Sequence, residues 1–179
     1  QREVLEPLGM EHATFAPRGQ PIDAVPTEVS TMQSGVLRGQ VHDENAFALG
    51  GVSGHAGLFA TAKDVFRLGQ AFLDRGAWPG GTRWLARAWA EQAVRRDGLV
   101  PGSSRGLGWD TFMPRGSSGT KMANTSFGHT GFTGTSIWCD PTRNLCVVLL
   151  TNRVHPSRAN SRITPVRGGL ADLVVDSLQ

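Results

Sequence analysis

The chain has 179 residues and a formal net charge of +3, a length that suits one domain with a sizeable core. Its basic residues are scattered, with no block longer than Arg95-Arg96, which is the pattern of a solvated surface and not of a nucleic-acid footprint. No apolar run approaches a membrane span, and no charged-then-apolar leader precedes the first residues, so neither a transmembrane helix nor a signal peptide is read.

In chain order, residues 1–10 read as the tail of an apolar segment. Val4, Leu5 and Leu8 share a face, and Pro7-Leu8-Gly9-Met10 ends it. Residues 16–30 hold three prolines and little periodicity, so a long surface loop is expected. Residues 39–54 read as further irregular structure. The clearest helix starts at Thr61, which can cap with Asp64 three residues on completing a box. Val65, Leu68 and Phe72 form its apolar face, and Gly76 stops it. A second helix is expected over 85–95 with Trp84, Ala88 and Trp89 inward, then a loop over 96–104. A short strand over 106–112 and a loop over 114–125 follow. A closing helix over 166–178 would bury Leu170, Leu173, Val174 and Leu178.

Residues 127–150 read as three strands joined by two turns. Gly131 and Gly134 bracket the first reversal, where glycine tolerates positive φ. Asp140-Pro141-Thr142-Arg143-Asn144 makes the second. The apolar run 145–150 is how a strand covered on both faces reads. His129-Thr130-Gly131 then falls at a strand end, where a side chain, a hydroxyl and bare N–H groups can face one cleft. Cys139 and Cys146 flank the second turn. A disulfide between them demands strict geometry, so two reduced thiols are expected.

This stretch resembles the serine β-lactamase and penicillin-binding-protein superfamily, in its class C β-lactamase and esterase branch. There a Lys-Thr-Gly or His-Thr-Gly triplet ends the strand lining the active site, and two strands and an Asx/Pro turn follow, ending near Thr-Asn. Here these are His129-Thr130-Gly131 and, after the last strand, Thr151-Asn152. Gly106-Leu107-Gly108-Trp109 is similar to the family's Gly-Leu-Gly-Trp strand. The stretch 54–64, with Ala56-Gly57-Leu58, Thr61 and Asp64, is similar to its helix entry. Pro7-Leu8-Gly9-Met10 is similar to the segment after its second catalytic motif.

The resemblance implies an α+β fold, an α/β sandwich of β-lactamase/transpeptidase type with an antiparallel sheet and helices packed on it. Residues 1–125 would be the mostly helical and loop region and 126–179 the sheet strands and closing helix of the C-terminal portion of one domain, truncated at its N-terminus. The implied activity is that of a serine hydrolase of esterase, peptidase or β-lactamase type, acting through an acyl-enzyme on a small-molecule ester, peptide or β-lactam. No metal or organic cofactor, nucleic acid or membrane span is implied. The partner would be the missing N-terminal half of the same domain, and the location periplasmic or extracellular. The alternative is a non-catalytic binding or accessory module with a dead cleft.

By position in the family motif, His129 would bond substrate or shuttle a proton, Thr130 would bond substrate, Gly131 would let backbone approach it, and the Phe132 N–H would be an oxyanion-hole donor. Histidine lacks the fixed charge of the family's lysine, so esters or peptides are expected over anionic β-lactams. The bland alternative for His129 is an ordinary strand-end histidine. Ser118-Gly119-Thr120-Lys121 is the one Ser-x-x-Lys match. It is set aside because it sits in a Gly/Ser loop just ahead of the histidine strand. There is no tyrosine, hence no Tyr-x-Asn motif, and the nucleophile and its base are expected outside this chain. Asn152, Arg153 and Arg158 either meet a substrate carboxylate or sit on the surface. His42-Asp43-Glu44 and His55 lack zinc-helix spacing, so hydrogen bonds from His42, Asp43 and Asn45 are expected to pin a loop near the cleft.

Overall fold

A computed structural model describes residues 1–78, 83–98 and 100–178. Its centre is a four-stranded antiparallel sheet in the order β5-β6-β7-β8, formed by Asp110–Thr111, Phe127–Thr130, Ser136–Asp140 and Leu145–Leu149. The three strands read from the sequence are therefore present. Asn144 turns the second reversal at φ 48°, a conformation asparagine tolerates better than most residues. Gly134 adopts φ 123° in the first. Gly131 is needed for a different reason: a Cβ there would overlap the Thr135 hydroxyl.

Helix α2, Ala62–Leu73, covers one face of the sheet and α4, Ile163–Asp176, covers the other. Side chains alternate across a strand. Phe127, Ile137 and Cys139 therefore pack with Trp109, Val65 and Phe72 on the α2 side, while Trp138 packs with Phe112, Met122, Ala171 and Val175 on the α4 side. Burying a side chain like Phe127, 1 % exposed, contributes about 2–3 kcal/mol. The expected capping box starts α2: Thr61 Oγ1 accepts from the Asp64 N–H and Asp64 Oδ2 accepts from the Thr61 N–H. The Gly76 N–H bonds back to the Ala71 carbonyl at 2.8 Å, at φ 82°. Gly69 lets α2 ride low on the sheet, since a Cβ would stand 2.7 Å from Cys146 Sγ. Cys139 and Cys146 face each other across β7 and β8 as free thiols, sulfurs 3.5 Å apart. The Cys146 sulfur and burial both push the Cys139 thiol pKa up.

The remaining elements depart from sequence expectation in six places. Residues 26–30 are not loop: β2, Pro26–Ser30, pairs with β3, Gly35–Arg38. β2 was hidden because its alternation is inverted, Glu28 and Ser30 buried and Val29 exposed. Within 39–54 a short helix α1, Glu44–Ala48, forms behind an Asp43 cap. Gly57-Leu58-Phe59 adds a two-residue strand β4, Leu58–Phe59, to β1, Thr14–Phe15. Of 106–112 only 110–111 is strand, because Gly106–Gly108 form a turn, N–H to carbonyl 3.1 Å. Helix α3, Arg87–Val94, turns Ala88 and Trp89 outward and buries Ala90. Helix α4 is rotated as well: it buries Arg167, Gly168, Ala171 and Val175, leaving Leu173 and Leu178 exposed. Small residues let α4 approach the sheet closely, which a bulky leucine stripe would prevent. Residue 99 of the expected 96–104 loop lies outside the described residues.

Candidate active site

β6 carries His129 to the end of the sheet on the α2 side, the face it shares with Phe127 and Ile137. The imidazole is exposed. Its Nε2 lies 2.6 Å from Arg105 Nη1 and its Nδ1 lies 2.9 Å from the Thr130 carbonyl. A guanidinium only donates and a carbonyl only accepts. The two contacts therefore assign the neutral tautomer with the proton on Nδ1. Among the described residues the Arg105 guanidinium meets no carboxylate. The sequence reading left this position without a fixed charge. Arg105, 24 residues upstream, supplies one.

The next three residues continue this strand end. No hydrogen bond to another described residue engages the Thr130 hydroxyl or the Phe132 N–H. The Gly131 N–H is committed to the Thr135 carbonyl at 2.8 Å. The Phe132 carbonyl accepts from Arg153 Nε at 2.8 Å, and the Gly131 carbonyl accepts from Arg167 Nη2 at 2.8 Å. Both carbonyls are thus anchored by arginine, which fixes the direction of the Phe132 N–H.

A polar cluster supports this strand end from below. The Phe132 ring stacks on His42 with centroids 5.7 Å apart and carries the Arg153 and Arg158 guanidiniums 4.4 and 5.7 Å from its centroid. His42 is buried, its Nε2 2.8 Å from Glu28 Oε2. Glu28 also accepts from the Arg158 N–H at 2.8 Å and from its Nε at 2.7 Å, while Arg158 Nη2 bonds Glu44 at 2.5 Å. The Arg158 side chain foremost, then its N–H and His42, hold the Glu28 carboxyl down at about 2 against the opposing effect of burial. Asp43 caps Ala46 at 2.8 Å and receives His55 Nε2 at 2.9 Å. Those bonds, the cap first, hold its carboxyl below the usual range.

The residues singled out from sequence are thus partly gathered. His129, Thr130, Gly131 and Phe132 line one strand end. Arg158 lies beneath Phe132 but is committed to Glu28 and Glu44. Asn152 donates to the Pro26 carbonyl and accepts from the Val154 N–H, so it ties β2 to the segment after β8. Ser118 is fully buried, its hydroxyl bonded to the Met113 carbonyl at 3.3 Å, and the Lys121 ammonium bonds Asp176. The Ser118–Lys121 pair is closed to substrate. His42 and Asp43 pin their loop as expected, though no side-chain bond of Asn45 to another described residue contributes. The sequence reading missed Glu28 and Arg105. The only available signals were a lone carboxylate in a strand of inverted alternation and a basic residue just before Gly106-Leu107-Gly108-Trp109.

Residues 1–170 match the family model described as Beta-lactamase. Proteins of Salmonella agona and Salmonella gallinarum that carry the provisional name D-alanyl-D-alanine carboxypeptidase are 32 % and 33 % identical over 182 residues. Each match takes in 90 % of this chain and 41 % of the relative. The chain therefore spans well under half the length of these relatives. Among solved structures, a β-lactamase of Mycobacterium bovis superposes with a TM-score of 0.61 at 21 % identity, covering 98 % of this chain and 54 % of that one. Simvastatin synthase of Aspergillus terreus gives 0.63 at 16 %, covering 100 % and 50 %. At such identities the likeness speaks for the fold.

Proposed function

The chain belongs to the Beta-lactamase family, and from that premise we propose that it forms the histidine-bearing wall of a serine-hydrolase cleft that cleaves an ester or peptide through an acyl-enzyme. One observation carries this reading: the unengaged Thr130 hydroxyl and Phe132 N–H stand at the strand end that presents His129 and Arg105. The serine and its lysine would come from the part of the protein outside these residues. On attack, the carbonyl oxygen would take up negative charge beside the Phe132 N–H, whose direction is already set by its anchored neighbours. A donor so placed contributes roughly 3 kcal/mol to the barrier. Thr130 would bond the substrate. His129, with Nε2 turned to Arg105, would act as a polarised donor–acceptor and not as a free base. Arg105 provides the charge that favours a substrate with a carboxylate, in keeping with the carboxypeptidase name of the Salmonella relatives.

The test is kcat and KM of the full-length protein for a p-nitrophenyl ester and for a peptide ending in D-Ala-D-Ala. His129→Ala should lower kcat about 10²-fold with folding intact by circular dichroism. Unchanged kinetics would return His129 to an ordinary strand-end residue and remove the site with it.

A further inference from the structure

At the start of α4 lies a cavity of about 260 Å³, walled by residues 130–132, Arg153, Ser161, the first residues of α4 and Arg167. Its charge is one-sided. Arg167 is 7 % exposed, and Nη2 donates only to the Gly131 and Thr135 carbonyls, at 2.8 Å each. Its Nε is buried with no partner among the described residues. Arg153 likewise donates only to carbonyls, those of Phe132, Arg158 and Asn160. Neither guanidinium forms an ion pair with a described residue, no carboxylate lines the cavity, and residues 141–171 hold arginines but no aspartate or glutamate. Two cations sharing a partly buried space without an acid are costly together. Burial first, and the Arg153 charge second, disfavour the Arg167 cation.

The same cavity receives a helix end. α4 starts with no side-chain cap, and Pro165 in its first turn has no N–H of its own to satisfy. Its first N–H groups and the positive end of its dipole are left for a ligand. Thr164 and Ser161 add hydroxyls at the rim.

We propose that this cavity is a binding site for a small oxyanion, a carboxylate or phosphate group, held between Arg153, Arg167 and the N-terminus of α4. An anion there supplies the missing counter-charge, and its several acceptor oxygens suit guanidinium and helix N–H donors. The cavity shares residues 130–132 with the proposed cleft, but anion binding there does not require the hydrolase reading. A planar carboxylate would be served by the two arginines, and a tetrahedral phosphate would reach the helix N–H groups as well.

The experiment is thermal unfolding of the full-length protein against inorganic phosphate and, separately, acetate, with ionic strength held constant by sodium chloride. Wild type should show a saturating rise in Tm with at least one of the two. Phosphate alone would mark a doubly charged ligand, and both would mark any oxyanion. Thr164→Asp places a carboxylate at the start of α4, where it suits the helix and fills the role of the anion. It should keep the fold by circular dichroism and weaken apparent affinity by about tenfold or more. Arg153→Gln, at a half-buried position, should do the same. No saturating shift with either anion, or equal shifts in wild type and both variants, would overturn the proposal. Because binding alone is read, that failure is separate from any failure of catalysis.

Discussion

Glu28→Gln removes the carboxylate beneath Phe132 while keeping the shape of the side chain. In the wild type that carboxylate accepts from His42, from the Arg158 N–H and from the Arg158 guanidinium. The amide keeps one acceptor oxygen but loses the charge, and its NH₂ faces donors. Holding the carboxyl at about 2 instead of 4.5 corresponds to at most about 3 kcal/mol of linkage at neutral pH. The Arg158 side chain is 44 % exposed and keeps Glu44 as a second partner, so solvent screening reduces the expected loss to about 1–2 kcal/mol. The sign follows from the depressed folded pKa. The contribution is fully present above the unfolded value of 4.5 and is lost as pH falls from there towards 2. Urea unfolding of the full-length wild type and variant at a series of pH values reads it. The gap between the two should be largest near neutrality and close as pH falls below about 4. A gap below about 0.5 kcal/mol at pH 7, or one that does not shrink with acid, would refute the placement of Glu28 as the clasp between β2 and the segment after β8.

Three further outcomes are expected. Arg105→Gln should raise KM for a peptide with a free C-terminal carboxylate about fivefold, while leaving a neutral ester within about twofold, because one exposed charge–charge contact is lost; steady-state kinetics on both substrates reads the difference. Gly131→Ala should lower kcat far more than Tm, since the added Cβ meets Thr135 Oγ1 and tilts the neighbouring Phe132 N–H, as kinetics alongside calorimetry would reveal. Ser118→Ala should leave hydrolysis unchanged because that hydroxyl is buried on the Met113 carbonyl, and a loss of turnover in a folded variant would reinstate Ser118-Gly119-Thr120-Lys121.

What could be read from the sequence was what depends on near neighbours. The Asp140–Asn144 turn, the glycine reversal at 131–134 and the Thr61–Asp64 box are each settled within a few residues, and each stands in the structure. The strand end with His129 followed from them. The reading failed where a distant partner decides. Glu28 is buried where His42 and Arg158, the latter 130 residues away, meet it, so β2 looked like loop. Arg105 reaches His129 through the β5–β6 pairing, which no local pattern announces. On α4 the leucines looked inward, yet Arg167 occupies the buried face, where its guanidinium bonds the Gly131 and Thr135 carbonyls across the chain.

The most direct measurement of the central claim is intact-mass spectrometry of the full-length protein after brief exposure to an activated ester or a penicillin, followed by peptide mapping. The account predicts a covalent acyl adduct on a serine outside these 179 residues. That adduct should accumulate in wild type, form at least about tenfold more slowly in His129→Ala, and never map to Ser118. An adduct on Ser118, or the absence of any adduct under conditions of measured turnover, would contradict it.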